Sequence, residues 1–290
     1  MGGVSEQSRR AGPRALRWQS QAVLLAFLPV TAIWVTLAGG EAWQAHDPAA
    51  WMAAAISVGF AVLVWRLRAA TPGGALTGGI IAAALFLETP GRHTALWPLL
   101  VLVALTFAAT RFGRRRKEML GIAEDQRGRR ASQVAANLGV AAVAGIPLAA
   151  ALGLGAVAQS GRAALVAMAA AMAEAAADTL SSELGQVLGG EPRLLTTLRR
   201  VPAGTDGAIS WAGTLAGCAG AAAVVAAGEA ALILSRAEAL IALGAAIAGL
   251  FLDSLLGAAP ERRGWLNNDA VNALSTLFAA LLAVFACRWI

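Results

Sequence analysis

The sequence predicts an all-α fold: a polytopic bundle of about nine transmembrane helices joined by short cytoplasmic loops. Three observations predict it. Of the 290 residues 58% are hydrophobic and only 14% charged, mean hydropathy is +0.65, and apolar runs of span length recur along the chain. Soluble domains carry roughly a quarter charged residues, and one bilayer span takes about 20 apolar ones. In a membrane chain a net charge of +6 reflects the gathering of Lys and Arg in cytoplasmic loops. The bilayer is therefore the expected partner, and nucleic acid is not. Cys218 and Cys287 lie in apolar stretches and give neither a disulfide framework nor a metal-binding pair.

The first span is read at about 21–39, behind Arg9, Arg10, Arg14 and Arg17. That charge profile also suits a signal peptide. The run is longer than an h-region, lacks a small-residue cleavage site and is followed by further spans, so an uncleaved helix is expected. The remaining spans are read at 50–65, 74–88, 95–110, 133–157, 163–181, 208–228, 239–257 and 268–288, mostly Ala, Leu, Val, Ile and Gly. A half-helix or re-entrant segment would also fit 72–88 and 208–235. Nine spans place the N-terminus, Arg66/Arg68, the 111–130 loop, Arg193/Arg199/Arg200 and Arg262/Arg263 on one side. By the positive-inside rule that side is cytoplasmic, which makes an inner (plasma) membrane of bacterial type the expected location. The other side holds Glu41, His46, Asp47, Glu88, His93, Glu229 and Glu238. Trp34, Trp43, Trp51, Trp65, Trp97, Trp211, Trp265 and Trp289 lie near span ends as interfacial anchors. Gly139, Gly145, Gly153, Gly213, Gly217, Gly244 and Gly249 permit close helix packing.

Polar residues are scarce, yet three blocks are dense in them, and all open to the cytoplasmic side of this topology. The first runs from Arg111 through Arg114-Arg115-Arg116-Lys117-Glu118 to Glu124-Asp125-Gln126-Arg127-Gly128-Arg129-Arg130, Gln133 and Asn137. The basic run also suits a positive-inside loop touching anionic lipid. Acids, Gln, Gly and arginines mixed in one stretch suit a phosphate-binding loop, because guanidinium forks grip phosphate bidentately.

The second block begins inside a span. Glu174 and Asp178, spaced i, i+4, share a helix face. A mid-membrane acid costs about 2.5–3.5 kcal/mol even on lenient scales, so the pair needs a metal, an arginine or a wet cleft. A structural salt bridge is the plainer alternative. The block continues through Ser181, Ser182, Glu183 and Gln186 to a Pro/Gly-framed loop with Arg199, Arg200, Thr205, Asp206 and Gly207. Such a loop ahead of a helix can offer side chains and backbone N–H groups to an anion.

The third block is Asp253-Ser254-Leu255 followed by Glu261-Arg262-Arg263-Gly264-Trp265-Leu266-Asn267-Asn268-Asp269, with Asn272 a turn beyond Asn268. Helix capping by Asn267 or Asn268 accounts for one of these residues. Asp269 and the amides also supply hard oxygen ligands of the kind Mg²⁺ takes when it is shared with nucleotide phosphates. Asp178-Thr179-Leu180 echoes Asp253-Ser254-Leu255, as an internal two-fold repeat would.

Acids, amides and arginines without histidine or cysteine argue against zinc hydrolysis and thiol catalysis, and phosphoryl chemistry remains. A Walker A loop is excluded because the only lysine, Lys117, is followed by Glu118. Phosphoryl transfer asks mainly for positioning and charge neutralisation, which a cleft of Asp, Asn and Arg can provide.

The runs GRRRKEMLGIAEDQRGRRASQVAANLGVAA, EAAADTLSSELGQVLGGEPRLLTTLRRVPAGTDGAISWAGTLAG and DSLLGAAPERRGWLNNDAVNALST resemble the integral-membrane domain-of-unknown-function family ninety-two. That family includes a plant chloroplast phytyl-phosphate kinase and is distantly similar to the dolichol kinase and phosphatidate cytidylyltransferase group. The resemblance covers roughly residues 70–290, so 1–70 is read as N-terminal helices and tail and 71–290 as the catalytic membrane domain. It implies transfer of the γ-phosphate of CTP, or another NTP, to a phytyl or geranylgeranyl monophosphate, with Mg²⁺ as cofactor.

On that reading Asp178, Asp253 and Asp269 are the catalytic, Mg²⁺-binding acids, and Glu174 is a fourth metal-side acid. Arg127, Arg130, Arg199, Arg200, Arg262 and Arg263, with Thr205, Asp206, Asn268 and Asn272, are expected to hold nucleotide and phosphate. A lipid-phosphate cytidylyltransferase and a lipid-phosphate or anion transporter are the alternatives. Self-association is left open.

Overall fold

The computed structural model describes residues 16–122, 128–146, 161–232 and 234–290. Each apolar run of the sequence contains a helix. In chain order these are α1 (Arg17–Gln44), α2 (Ala49–Arg66), α3 (Pro72–Glu88), α4 (Leu96–Arg111), α5 (Arg114–Leu120), α6 (Ala131–Ala144), α7 (Gly161–Leu188), α8 (Trp211–Leu232), α9 (Arg236–Leu256) and α10 (Asn268–Ala286). A two-residue antiparallel ladder, β1 (Arg193–Leu194) with β2 (Ala208–Ile209), closes the loop between α7 and α8 in the register Arg193 to Ile209.

Fewer than nine helices reach span length among the described residues. Among those residues six helices are long and apolar enough to cross a membrane: α1, α2, α7, α8, α9 (with the turn that follows it) and α10; a seventh arises if α4 and α5, bent by 57°, form one broken span. Helices α3 and α6 have only 17 and 14 residues. Hydropathy adds up runs without registering breaks. Phe112 is extended and Gly113 left-handed (φ 63°), so α4 turns sharply into α5. Helix α6 ends at Gly145, and the rest of the run read at 133–157 lies mostly outside the described residues. The stretch after 208 is one continuous helix of 22 residues, not a half-helix.

Helix α7 is the axis. Val166 to Ala177 are all buried, and α4, α6, α8, α9 and α10 pack around them. Lipid supplies no hydrophobic drive between helices, so such packing rests on small residues that let backbones approach. Alanines dominate α7, and α8 brings Gly213 and Gly217 against it: a Cβ there would lie 2.6 Å from Ser181 O and 2.8 Å from Ala177 O. Gly139 and Gly145 are equally close to Phe27 and Glu88, whereas Gly244 meets nothing within 4 Å and is not a packing residue. Gly153 lies outside the described residues. Helices α1 and α2 flank the bundle and leave Leu25, Ile33, Leu37, Val58 and Val62 exposed, as lipid-facing helices do.

The two ends of the bundle differ. At one end Gln19 Nε2 donates to Trp265 O (2.8 Å) and Asn267 Nδ2 donates to Leu16 O (2.8 Å), which pins α1 to the start of α10. Arg111 reaches Leu67 O (2.8 Å), and Thr71 N donates to Arg129 O (3.0 Å). These contacts gather the described basic clusters at that end. At the opposite end Arg162 pairs with Glu238, itself in a capping box with Ser235.

Candidate functional site

The second and third polar blocks meet in a cavity of about 230 Å³ at the basic end, between the last turns of α7 and α9 and the loop leading into α8, while of the first block's described residues only Ile122 reaches it. Asp178, Ser181, Ser182 and Gln186 line it from α7, Asp253 and Ser254 from α9, and Thr205, Asp206 and Ser210 from the loop. Asn268, at the start of α10, completes the wall.

Local backbone chemistry builds this shape. Helix α9 does not stop at Leu256 but widens into a π-helical turn, Gly257–Glu261, which swings Glu261 into the cavity. Such turns are rare and frequent at functional sites. The loop lies directly on that turn. Gly207 is left-handed (φ 69°), and a Cβ there would run into Ala258 N and Ser254 O, so only glycine fits. On the next strand-to-helix junction Ser210 Oγ accepts from Gly213 N (3.1 Å) and starts α8.

The two Asp-Thr/Ser-Leu echoes thus supply two aspartates to one cavity from two helices. Asp253 Oδ2 accepts from Ser275 Oγ (3.3 Å), and its charge lies within electrostatic reach of Asp178, Glu174 and Glu261. Glu174 and Asp269 lie beneath the cavity rather than on it, 1% and 4% exposed. Glu174 Oε1, Asp269 Oδ2 and Gln186 Oε1 are buried with no hydrogen-bond partner among the described residues. Gly249 of α9 makes room for Glu174: a Cβ there would meet Glu174 Cγ at 2.6 Å. Asn272 is also off the cavity, its Nδ2 donating to Asn137 Oδ1 (3.4 Å).

A four-acid metal cluster of Glu174, Asp178, Asp253 and Asp269 does not form, since no three His, Cys, Asp or Glu among the described residues are placed to hold a metal ion. The reason is depth: Glu174 sits one turn below Asp178, and Asp269 is buried behind the cavity wall. Mg²⁺ nevertheless asks for little from a protein, typically one or two carboxylates plus phosphates and waters. Asp178 and Asp253 on one polar wall fit that demand. Behind them Glu174 Oε1 and Asp269 Oδ2 are buried carboxylate oxygens without a hydrogen-bond partner among the described residues.

The arginines divide differently from the sequence reading. Arg130 is exposed and spent on the α6 N-terminus, where its backbone N–H donates to Gln133 Oε1 (2.9 Å). Arg200 pairs with Glu191 on the surface, Arg199 is exposed, and Arg263 stacks over Trp265 at 5.1 Å. Arg262 stands near Asp206, whose carboxyl is held above the ordinary range by partial burial, with the Arg262 charge opposing. Arg127 lies outside the described residues. The cations that point inward were not singled out. Arg129 donates to Thr179 Oγ1 (3.1 Å), beside Asp178. Lys117, 1% exposed, pairs with Glu183, a residue of the cavity wall. Lys117 stood among five charges in an apparent surface run. Its one signal was the Gly113 bend, which turns α5 back against α7.

With this geometry in hand, the sequence profile described as integral membrane protein DUF92 matches residues 55–280. The chain belongs to this family. It is 43% identical over 108 residues to uncharacterized membrane protein MJ0933 of Methanocaldococcus jannaschii, covering 37% of this chain and 45% of that protein. It is 31% identical over 195 residues to uncharacterized membrane protein sll0875 of Synechocystis, covering 64% and 72%. It is 30% identical over 186 residues to protein VTE6, chloroplastic, of Arabidopsis thaliana, covering 63% and 55%. The match thus spans about half the length of the first and third of these relatives. No solved structure matches the chain. The DUF92 match takes in Asp178, Asp253, Arg129, Lys117 and the α8 loop.

Proposed function

We propose that this DUF92 protein is a prenyl-monophosphate kinase that transfers the γ-phosphate of CTP, or another NTP, to phytyl or geranylgeranyl monophosphate. One observation carries the reading. In a bundle built mainly of apolar helices, Asp178, Asp253, Thr205, Asp206 and Asn268, drawn from separate elements, converge on one polar cavity at the basic end. The resemblance to a family that includes a plant chloroplast phytyl-phosphate kinase supports the choice of lipid and of CTP, and the 186-residue match to a chloroplastic plant protein is consistent with it. The basic clusters at that end support an active site facing the cytoplasm of an inner membrane.

Asp178 and Asp253 would hold Mg²⁺ together with the nucleotide's phosphates. When bound, the ion would neutralise charge on the β- and γ-oxygens. The N–H and hydroxyl donors of the 205–210 loop would orient the nucleotide, and Arg262 at the rim would attract it. An oxygen of the prenyl monophosphate attacks the γ-phosphorus, the bond from that phosphorus to the β-phosphate oxygen breaks, and the nucleoside diphosphate leaves. The acceptor is already anionic near neutral pH, so no general base is required.

The cavity's polar lining is confined to one end of the bundle, which favours an enzyme over a transporter. Phosphorus NMR of a reaction containing protein, Mg²⁺, CTP and geranylgeranyl monophosphate tests the proposal. Prenyl diphosphate plus CDP is expected. Pyrophosphate plus a CDP-lipid would instead identify a cytidylyltransferase, and unchanged spectra with every nucleotide and acceptor would refute both.

A further inference from the structure

A second cavity, also of about 230 Å³, lies between α2, α3, α4 and α6. Its walls are apolar, with Phe60, Val64, Val103 and Leu138 prominent. Gly74 and Gly78, one turn apart on α3, keep it open: a Cβ at Gly78 would meet Phe60 Cε1 at 3.0 Å, and one at Gly74 would run into Arg129 O. Arg68, Arg111, Arg114 and Arg129 line the same cavity. All four stand at helix ends or junctions of the basic end, so they ring one mouth of an apolar slot. Arg111 is held in place by Leu67 O and the face of Phe107, 3.5 Å away, and Arg114 by Glu118. Arg129 is fixed by its backbone: its N–H donates to Ala69 O (2.9 Å) and its carbonyl accepts from Thr71 N (3.0 Å).

We infer that this groove is the lipid-acceptor subsite, holding the isoprenoid chain between α2, α3, α4 and α6 with the monophosphate gripped by Arg68, Arg111, Arg114 and Arg129. The choice of ligand rests on the kinase reading; the site does not. Charge separates the two cavities. The groove joins apolar walls to guanidinium forks, which suit a phosphate on a long apolar chain. The neighbouring cavity carries Asp178, Asp253, Asp206 and Glu261, which would repel a lipid phosphate and accept a metal-bound nucleotide. The wall between them is cationic. Arg129 lines the groove and reaches Thr179 beside Asp178. Lys117 donates to the carbonyl of Thr110 (3.3 Å), a groove residue, and pairs with Glu183 of the acidic cavity. Donor and acceptor phosphates would thus meet across two fixed cations.

The test uses full-length protein in nanodiscs and tritiated geranylgeranyl monophosphate carrying a diazirine on its chain. Irradiation of the wild type should label peptides of α2, α3, α4 or α6, with saturation and competition by unlabelled prenyl monophosphate but not by phosphatidylglycerol. Val103→Trp, which fills the slot, and Arg68→Gln, at a groove residue that does not line the acidic cavity, should each weaken equilibrium binding of the lipid at least tenfold while CTP binding stays within twofold. Labelling confined to α7, α9 or α10, or equal competition by phosphatidylglycerol, would overturn the groove even if the enzyme phosphorylates the lipid. Groove labelling in a wild type that transfers no phosphate would support the groove and refute the kinase.

Discussion

Lys117 offers the sharpest test of how the two cavities are held together. Its ammonium, 1% exposed, has three acceptors for its three protons: Ala109 O at 3.0 Å, Thr110 O at 3.3 Å and the Glu183 carboxylate. The first two are carbonyls in the last turn of α4, and Ala109 O also accepts from Phe112 N (3.1 Å). Lys117→Met keeps the volume and removes the charge, so Glu183 is stranded at 8% side-chain exposure. Breaking a buried ion pair from one side costs about 3–5 kcal/mol. Glu183 borders the polar cavity, so water can reach part of it and the loss should fall near the lower limit, about 3 kcal/mol. Lys117→Met/Glu183→Leu removes both charges and should recover most of that loss, because an apolar replacement of a buried pair is often neutral. Reversible unfolding in mixed micelles with increasing dodecyl sulfate reads both values. A single variant within about 1 kcal/mol of wild type, or a double variant as unstable as the single, would refute a buried, fully satisfied pair.

Three further outcomes follow from the geometry. Gly207→Ala forces a Cβ into the π-helical turn at a left-handed position; it should cost about 1–3 kcal/mol and reduce nucleotide affinity, read by calorimetry on the detergent-solubilised protein. Asn267 caps α10 through Ala270 N (2.9 Å) and ties α1 through Leu16 O and Ser20 Oγ. Asn267→Ala should lose about 2 kcal/mol and expose the start of α1 to limited proteolysis, whereas an unchanged digestion pattern would contradict the tie. Burial holds the Asp206 carboxyl above its ordinary range against the pull of Arg262. Its stability contribution is therefore complete below the unfolded value of about 3.9 and is lost as pH rises through the folded value. Asp206→Asn, neutral throughout, should gain on wild type in thermal unfolding as pH rises from about 4 to 7, and a pH-independent difference would contradict the burial.

The sequence made the all-α membrane class legible because composition and run length alone dictate it. Among the described residues fewer helices reach span length than that reasoning counted, since a break such as Phe112-Gly113 changes direction without changing hydropathy. Asp178 and Asp253 could be found because an acid in an alanine-rich helix is costly and stands out. Glu174 and Asp269 stood out equally, but depth within the bundle, which spacing does not report, removes them from the cavity surface. The arginines were the hardest to sort. Arg129 and Arg130 are neighbours of identical chemistry; a parallel bridge to Ala70 turns one inward and helix capping keeps the other outside. Lys117 was hidden in a basic run, and only the bend of α5 against α7 reveals it as buried.

The central claim is that the Asp178 and Asp253 cavity transfers a phosphoryl group to a prenyl phosphate. The most direct measurement incubates purified protein with Mg²⁺, γ-labelled CTP or ATP and a panel of prenyl monophosphates, beside an Asp253→Asn variant shown to be folded. Label in a prenyl diphosphate, at least 100-fold weaker in the variant and abolished by chelation of Mg²⁺, is the expected result, of the order seen when electrostatic stabilisation is removed from an active site. Label that never enters lipid, or that enters it equally in Asp253→Asn, would contradict the account.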